Sequence, residues 1–201
     1  MTRAAVLRVH HLLPASRSNG PGLRAVIWLQ GCTLACPGCF NPDTHAPAGG
    51  TRTPAADLAA WAAAQAADQA GAAAGLEGVT ISGGEPLQQA RGLRALLEEL
   101  RARTDLSVVL FSGYTWDEIQ QRPALARTAA LADVLLAGRY QAGQRLAAGL
   151  RGSANKTVHF FSGRYSTADL DAVPPAEVMI ARDGSLTLSG IDPLTWDDRG
   201  A

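Results

Sequence analysis

All three cysteines of the chain fall within eight residues, in the run Cys32-Thr33-Leu34-Ala35-Cys36-Pro37-Gly38-Cys39. An odd number so tightly clustered cannot be a secreted disulfide framework, and in a cytosolic chain such clustering points to metal or redox chemistry. A four-iron cluster normally takes four thiolates, so three leave one iron with a free coordination position. By the logic that separates closed structural metal sites from open catalytic ones, that position invites a substrate or cosubstrate to coordinate. Spacing alone leaves two plainer readings open: a zinc site closed by His45, or three buried thiols. His10, His11, His45 and His159 form no metal-ligand spacing among themselves and are assigned no role.

A second motif is Ile81-Ser82-Gly83-Gly84-Glu85-Pro86-Leu87. Paired glycines let a backbone approach a ligand that a Cβ would obstruct. The same pair before a helix also reads as a plain strand-to-helix turn or a phosphate cradle, with Glu85 and Pro86 shaping the turn. Phe40, directly after the last cysteine, fits either core packing or the wall of a ligand site. Ser112-Gly113 ends a strand and by itself reads as a turn, and Arg139 reads equally as a solvated surface arginine.

These residues need elements to hold them. Short apolar runs alternate with longer helical patterns, the signature of repeated strand-helix units and a parallel sheet. Arg24–Gln30 reads as a strand, and after a Pro/Gly-rich loop Thr53 and Pro54 give an N-cap and first-turn proline for an Ala-rich helix. Val79–Ser82 is a short buried strand before Gly83-Gly84, followed by a helix with Leu93, Leu96, Leu97 and Leu100 at helical spacing. Ser107–Phe111 is the next strand, and Thr115-Trp116-Asp117-Glu118 is a capping box opening another helix. Asp133–Ala137 and Thr157–Phe161 complete the expected parallel set. In the tail, Val178–Ala181 and Ser185–Ser189 flank Asp183-Gly184, a two-residue hairpin signal.

The fold class expected is therefore α/β, an incomplete (βα) barrel of five to six units with a C-terminal β-hairpin. A complete eight-unit barrel needs about 250 residues, and the chain has 201. One domain is expected over residues 1–201, with a core at about 19–161 and a hairpin extension at 162–201. The composition is 47% apolar and 18% charged, with 18 Lys+Arg against 18 Asp+Glu. That balance supports a packed core and supplies no field to draw nucleic acid or an anionic membrane. No unbroken apolar run reaches about 18 residues, and the N-terminus shows no long apolar signal region, so a cytoplasmic protein without a membrane partner is expected.

The motifs also resemble a known family. The C-x3-C-x2-C run followed by Phe40 looks like the signature of radical S-adenosylmethionine enzymes. Asn19-Gly20-Pro21-Gly22-Leu23-Arg24, the cysteine loop, the Gly83-Gly84-Glu85-Pro86 turn, Ser112-Gly113-Tyr114, Asp133 through Tyr140 and Arg151-Gly152-Ser153-Ala154-Asn155 stand in the order found in anaerobic ribonucleotide reductase activating enzymes. Those are activases of glycyl radical enzymes, and the match covers roughly residues 19 to 160.

The resemblance implies a [4Fe-4S] cluster on Cys32, Cys36 and Cys39 whose fourth iron is chelated by S-adenosylmethionine. It further implies reductive cleavage of that cosubstrate to a 5'-deoxyadenosyl radical that abstracts hydrogen. Gly38, Phe40, Gly83, Gly84, Glu85, Pro86, Ser112, Gly113, Arg139 and Asn155 then become candidate cofactor-binding residues, with no separate catalytic side chain assigned. Gly83 and Gly84 would admit the methionyl ammonium, and Phe40 would pack beside adenine. The implied partners are a glycyl radical enzyme and a flavodoxin or ferredoxin as electron donor. Ala137 stands where related activating enzymes tend to carry an acid, and the tail beyond Phe161 is longer than in the shortest members. Two other functions stay in view: a small-molecule or peptide-modifying radical enzyme, including one like 7-carboxy-7-deazaguanine synthase, and a non-catalytic iron-sulfur carrier or zinc module. The missing fourth cysteine argues against a carrier.

Overall fold

The computed structural model describes residues 4–70, 75–181 and 183–192. In chain order the strands are β1 (Val6–Ser16), β2 (Leu23–Leu29), β3 (Thr51–Pro54), β4 (Leu76–Gly83), β5 (Ser107–Ser112), β6 (Val134–Ala137), β7 (Arg145–Ala148), β8 (Arg151–Ser153), β9 (Thr157–Phe160), β10 (Ala176–Ile180) and β11 (Leu186–Gly190). The helices are α1 (Ala55–Gln69), α2 (Ala90–Arg103), α3 (Trp116–Gln120), α4 (Pro123–Ala129) and α5 (Thr167–Asp171).

Seven strands form one mixed sheet in the order β3-β1-β2-β4-β5-β6-β9, with β7–β8 and β10–β11 as separate two-stranded pairs. Only β2, β4, β5 and β6 run parallel to one another, so three helical crossovers stand where five to six units were expected. The sheet is open, with β3 and β9 at its edges, and no barrel closes. Thr157–Phe160 pairs antiparallel with β6, against the expectation of a parallel strand. The reason is the connection: a parallel neighbour needs a crossover, usually a helix, and the stretch from Ala137 to Thr157 holds the β7–β8 hairpin instead.

Strand β1 is absent from the sequence reading. It pairs with β2 and β3, but its register with β2 shifts twice, between Val9 and His11 and between Leu13 and Ser16. Those irregularities break the alternation by which a half-buried strand is recognised. Thr53 pairs with Leu7 inside β3, and Pro54, not Thr53, occupies the N-cap of α1. The capping box of α3 forms as expected, with Thr115 accepting from the Glu118 N–H and Glu118 from the Thr115 N–H. The C-terminal hairpin also forms, but its last ladder pair is Ile180 with Leu186, so Asp183-Gly184 is not the two-residue loop expected, and Gly184 takes φ 84°.

Alternation along the strands divides the core. Val108 and Leu110 of β5 and Leu135 and Ala137 of β6 face the helices, where Leu58 of α1 and Leu93, Leu96, Leu97 and Leu100 of α2 meet them. Val109, Val134 and Leu136 face the other way, onto Leu150 and Leu170. At the ends where the parallel strands begin, Arg24 is fully buried. Its Nε donates to Thr80 Oγ1 (2.8 Å), and its Nη atoms donate to the carbonyls of Pro21, Val79 and Ser107 and to the hydroxyls of Ser107 and Tyr165. Burial lowers its pKa, with Tyr165 and Glu77 opposing. Arg24 thus ties β2, β4 and β5 together at the end away from the cysteines.

Candidate functional site

Four strands end where chemistry can be placed. Past the end of β2, Gly31 donates to the Thr44 carbonyl (2.7 Å) and Cys32 to the His45 carbonyl (3.1 Å), closing the root of the cysteine loop. Within the loop Cys39 N–H reaches the Cys36 carbonyl at 3.2 Å, and Ala35 (φ 48°) and Gly38 (φ 71°) take left-handed conformations that turn the chain back on itself. The conformation asks for glycine at position 38. Gln88, at the start of the segment leading to α2, clasps the loop from the side: its Oε1 accepts the Thr33 N–H (3.2 Å) and its Nε2 donates to Thr33 Oγ1 (2.7 Å). The sequence reading passed over Gln88, whose only signal is its place just after the Gly-Gly-Glu-Pro run.

The turn after β4 docks on that root. Gly84 N–H donates to the Leu29 carbonyl (2.8 Å) and Glu85 N–H to the Gly31 carbonyl (2.9 Å). Gly83 has φ 109°, and a Cβ there would collide with the Leu29 backbone, while one at Gly84 would collide with the Gly31 carbonyl. Both glycines are therefore demanded by two backbones crossing. Glu85 is fully buried, N-caps the short 3-10 turn begun by Pro86, and accepts from Leu87 N–H (2.9 Å), Ser112 Oγ (2.9 Å) and Gly113 N–H (2.6 Å). Desolvation pushes its carboxyl pKa up, against these three donors. Ser112 and Gly113 thus belong to a hydrogen-bonded wall.

Cys32, Cys36 and Cys39, all partly buried, line one cavity of about 430 Å3 together with Phe40, Gly83, Gly84, Glu85, Ser112 and Gly113. Trp28, Ser82 and Phe111 line it from the sheet, on the face the helices leave open. Phe40 lies against Tyr140 (centroids 4.5 Å apart), and a Cβ on Gly152 would come within 2.6 Å of its ring. One wall comes from the tail: Thr187, Leu188, Ser189, Gly190 and Ile191. The hairpin is fastened there by Glu177, which accepts from Ser16 Oγ, Ser18 Oγ (3.1 Å) and Arg17 N–H (2.9 Å), and by Asn19 Nδ2 donating to Ser189 Oγ (2.6 Å). The segment around Trp196, which a small-molecule enzyme would use with the hairpin as a lid over a compact pocket, lies outside the described residues.

Four candidates stand back from the cavity wall: Gly38 and Pro86, which shape the two turns above, and Arg139 and Asn155. Arg139 makes a bidentate pair with Glu118 of α3, at 2.6 and 2.9 Å, which holds Glu118 down to a pKa of about 2. Asn155 donates through Nδ2 to the Arg139 carbonyl (2.9 Å), and its Oδ1 is buried without a partner. A residue not singled out from sequence takes a place in the cavity: Lys156, whose Nζ donates to the Gly138 carbonyl just past Ala137. Desolvation lowers its pKa, while Cys36, Glu85 and Cys39 act to raise it.

Among the described residues, no three His, Cys, Asp or Glu side chains converge as ligands of one ion must. His45 lines the same cavity as the thiols, and its backbone carbonyl accepts the Cys32 N–H. A four-iron cluster holds its thiolates at separate corners, wider apart than ligands of a single ion, and three partly buried thiols around one cavity suit it. Burial pushes the Cys32 thiol pKa up.

Comparison with known proteins agrees with this chemistry. The family model described as "4Fe-4S single cluster domain" matches residues 18–159. The anaerobic ribonucleoside-triphosphate reductase-activating protein of Vibrio cholerae is 30% identical over 164 residues, covering 78% of this chain and 99% of the relative. That of Salmonella typhi is 29% identical over 160 residues, 76% of this chain and 98% of the relative. The pyruvate formate-lyase-activating enzyme of Listeria monocytogenes is 42% identical over 84 residues, 41% of this chain, and the chain spans only 32% of that enzyme's length. With its three thiols, its Gly-Gly turn and nearly the full span of the reductase-activating relatives, the chain belongs to the 4Fe-4S single cluster domain family, among proteins that resemble activases of glycyl radical enzymes.

Proposed function

We propose that the chain holds a [4Fe-4S] cluster on Cys32, Cys36 and Cys39, binds S-adenosylmethionine beside it, and activates a glycyl radical enzyme of the anaerobic ribonucleotide reductase type. The observation that carries this reading is that the three thiols and the Gly83-Gly84 turn face one cavity. When bound, the cluster and cosubstrate would supply one-electron cleavage of the sulfonium and a 5'-deoxyadenosyl radical for hydrogen abstraction.

The chain's own residues position and shield that chemistry. The Gly83-Gly84 backbone offers a wall without side chains, and Glu85 holds that wall to Ser112-Gly113. Phe40 gives an apolar surface for a flat base, and Asn155 holds the Arg139 carbonyl behind the wall. Electrons would come from a flavodoxin or ferredoxin. The β10–β11 hairpin borders the cavity, and an extended glycine segment of a partner would enter beside it.

A second reading, modification of a small molecule or peptide, draws on the same hairpin wall, which would shape a compact pocket. Paramagnetic resonance decides between them: reconstituted, reduced protein is mixed with S-adenosylmethionine and an anaerobic ribonucleotide reductase. A glycyl doublet on the reductase supports activation. Release of 5'-deoxyadenosine with silence across several such reductases moves the reading to the small-molecule case.

A further inference from the structure

Lys156 is the only lysine of the chain. Among the described residues it is also the only Lys or Arg lining the cavity that holds the cysteines. An ammonium has three N–H donors, and one of them goes to the Gly138 carbonyl. None of the ion pairs among the described residues includes it. Glu85, the one acid in the wall, gives its oxygens to Leu87, Ser112 and Gly113. A desolvated ammonium with spare donors and no counter-ion is costly, and the cost falls when an anion lies close by. Lys156 lines the same cavity as Cys36 and Cys39. Its position is fixed by backbone on both sides: Lys156 N–H donates to the Ser153 carbonyl (3.2 Å), and Gly138, which receives the ammonium, donates its own N–H to Ser112 (3.1 Å) at the end of β5.

We propose that Lys156 is a positioning cation that raises the reduction potential of the cluster held by Cys32, Cys36 and Cys39, resting on the cluster assignment made above. Reduction brings one electron from a reduced flavin or iron-sulfur donor and adds one negative charge, with no bond or proton moving. A nearby positive charge in a poorly solvated wall favours that added charge. Net charge and hydrogen bonding around the sulfurs are among the levers that set such potentials. Among the described residues no other Lys or Arg lines the cavity, so the effect should be visible in a single substitution.

The test is an anaerobic redox titration of reconstituted protein, following the reduced cluster by paramagnetic resonance with dithionite as reductant, for wild type and Lys156→Arg, Lys156→Gln and Lys156→Met. Iron and sulfide analysis precedes each titration. Expected is a midpoint potential that moves more negative by a similar amount in the Gln and Met variants and stays near wild type in Lys156→Arg. Neutral variants that titrate with wild type overturn the proposal, and so does a Lys156→Arg potential displaced as far as theirs. Loss of the cluster from both neutral variants with retention in Lys156→Arg supports the same charge dependence at assembly, whereas loss from all three variants makes the side chain structural and overturns it. Wild-type protein without iron and sulfide would instead sink the cluster assignment itself.

Discussion

The carboxylate of Glu85 accepts the backbone N–H of Gly113 at 2.6 Å, joining the turn after β4 to the turn after β5 beneath the cysteine loop. With Ser112 Oγ and Leu87 N–H on its other oxygen, it completes three hydrogen bonds in a fully buried position. Glu85→Gln keeps the volume but turns one acceptor into a donor facing a donor. Such a buried mismatch costs about 1–3 kcal/mol. Chemical denaturation should show that loss, and Glu85→Ala should show more.

Cys32→Ala, Cys36→Ala and Cys39→Ala should each abolish the cluster, read as loss of iron and sulfide after anaerobic reconstitution. His45→Ala should leave both in place, because His45 contributes its backbone carbonyl to the loop root, which alanine retains. Stoichiometric zinc without sulfide in the wild type would contradict the assignment.

Gly84→Ala should weaken both the fold and the cluster. A Cβ at this position meets the Gly31 carbonyl, one residue before Cys32. The root of the cysteine loop must then shift, a distortion expected to cost about 1–3 kcal/mol. The check is a lowered thermal midpoint together with faster loss of iron on exposure to a chelator. A variant with unchanged iron retention would show the loop root to be more compliant than its hydrogen bonds imply.

Glu118→Gln tests the pair with Arg139. The folded-state pKa of Glu118 lies at about 2, below its ordinary 4.5, so ionisation favours the fold. Its contribution is present above the unfolded value and is lost as pH falls from about 4.5 toward about 2. The stability difference between wild type and variant should therefore be full at neutral pH and vanish in acid. Both side chains are about a third exposed, so screening limits it to about 0.2–1 kcal/mol. Denaturation series at several pH values measure it.

Glu177→Ala should free the C-terminal hairpin from the Ser16–Asn19 segment, leaving Asn19–Ser189 as a remaining tie. Amide exchange across residues 176–190 should quicken while cluster content holds. If the hairpin guides a partner segment, the yield of partner radical should fall in the same variant.

How much of this was legible in the sequence depends on how local each cause is. The cysteine run, the capping box of Thr115 and Glu118, the leucine face of α2 and the Asp183-Gly184 hairpin are set by neighbours a few residues apart, and spacing reports such causes directly. The ordered motifs likewise carried the family and its iron-sulfur chemistry. The sheet edges did not show: β1 hides behind register shifts, and the direction of β9 depends on which connection the chain uses to return.

In the site, sequence alone determined which residue types could do chemistry, because cysteine clustering and Gly-Gly pairs are one-dimensional signals. Only the tertiary structure decided their partners. It set Arg139 against Glu118, gave Glu85 to the Ser112-Gly113 turn, and brought Lys156 into the wall beside thiols more than a hundred residues earlier in the chain. Those assignments rest on contacts across the sheet, and contact across a sheet follows strand order and direction, which no local spacing encodes.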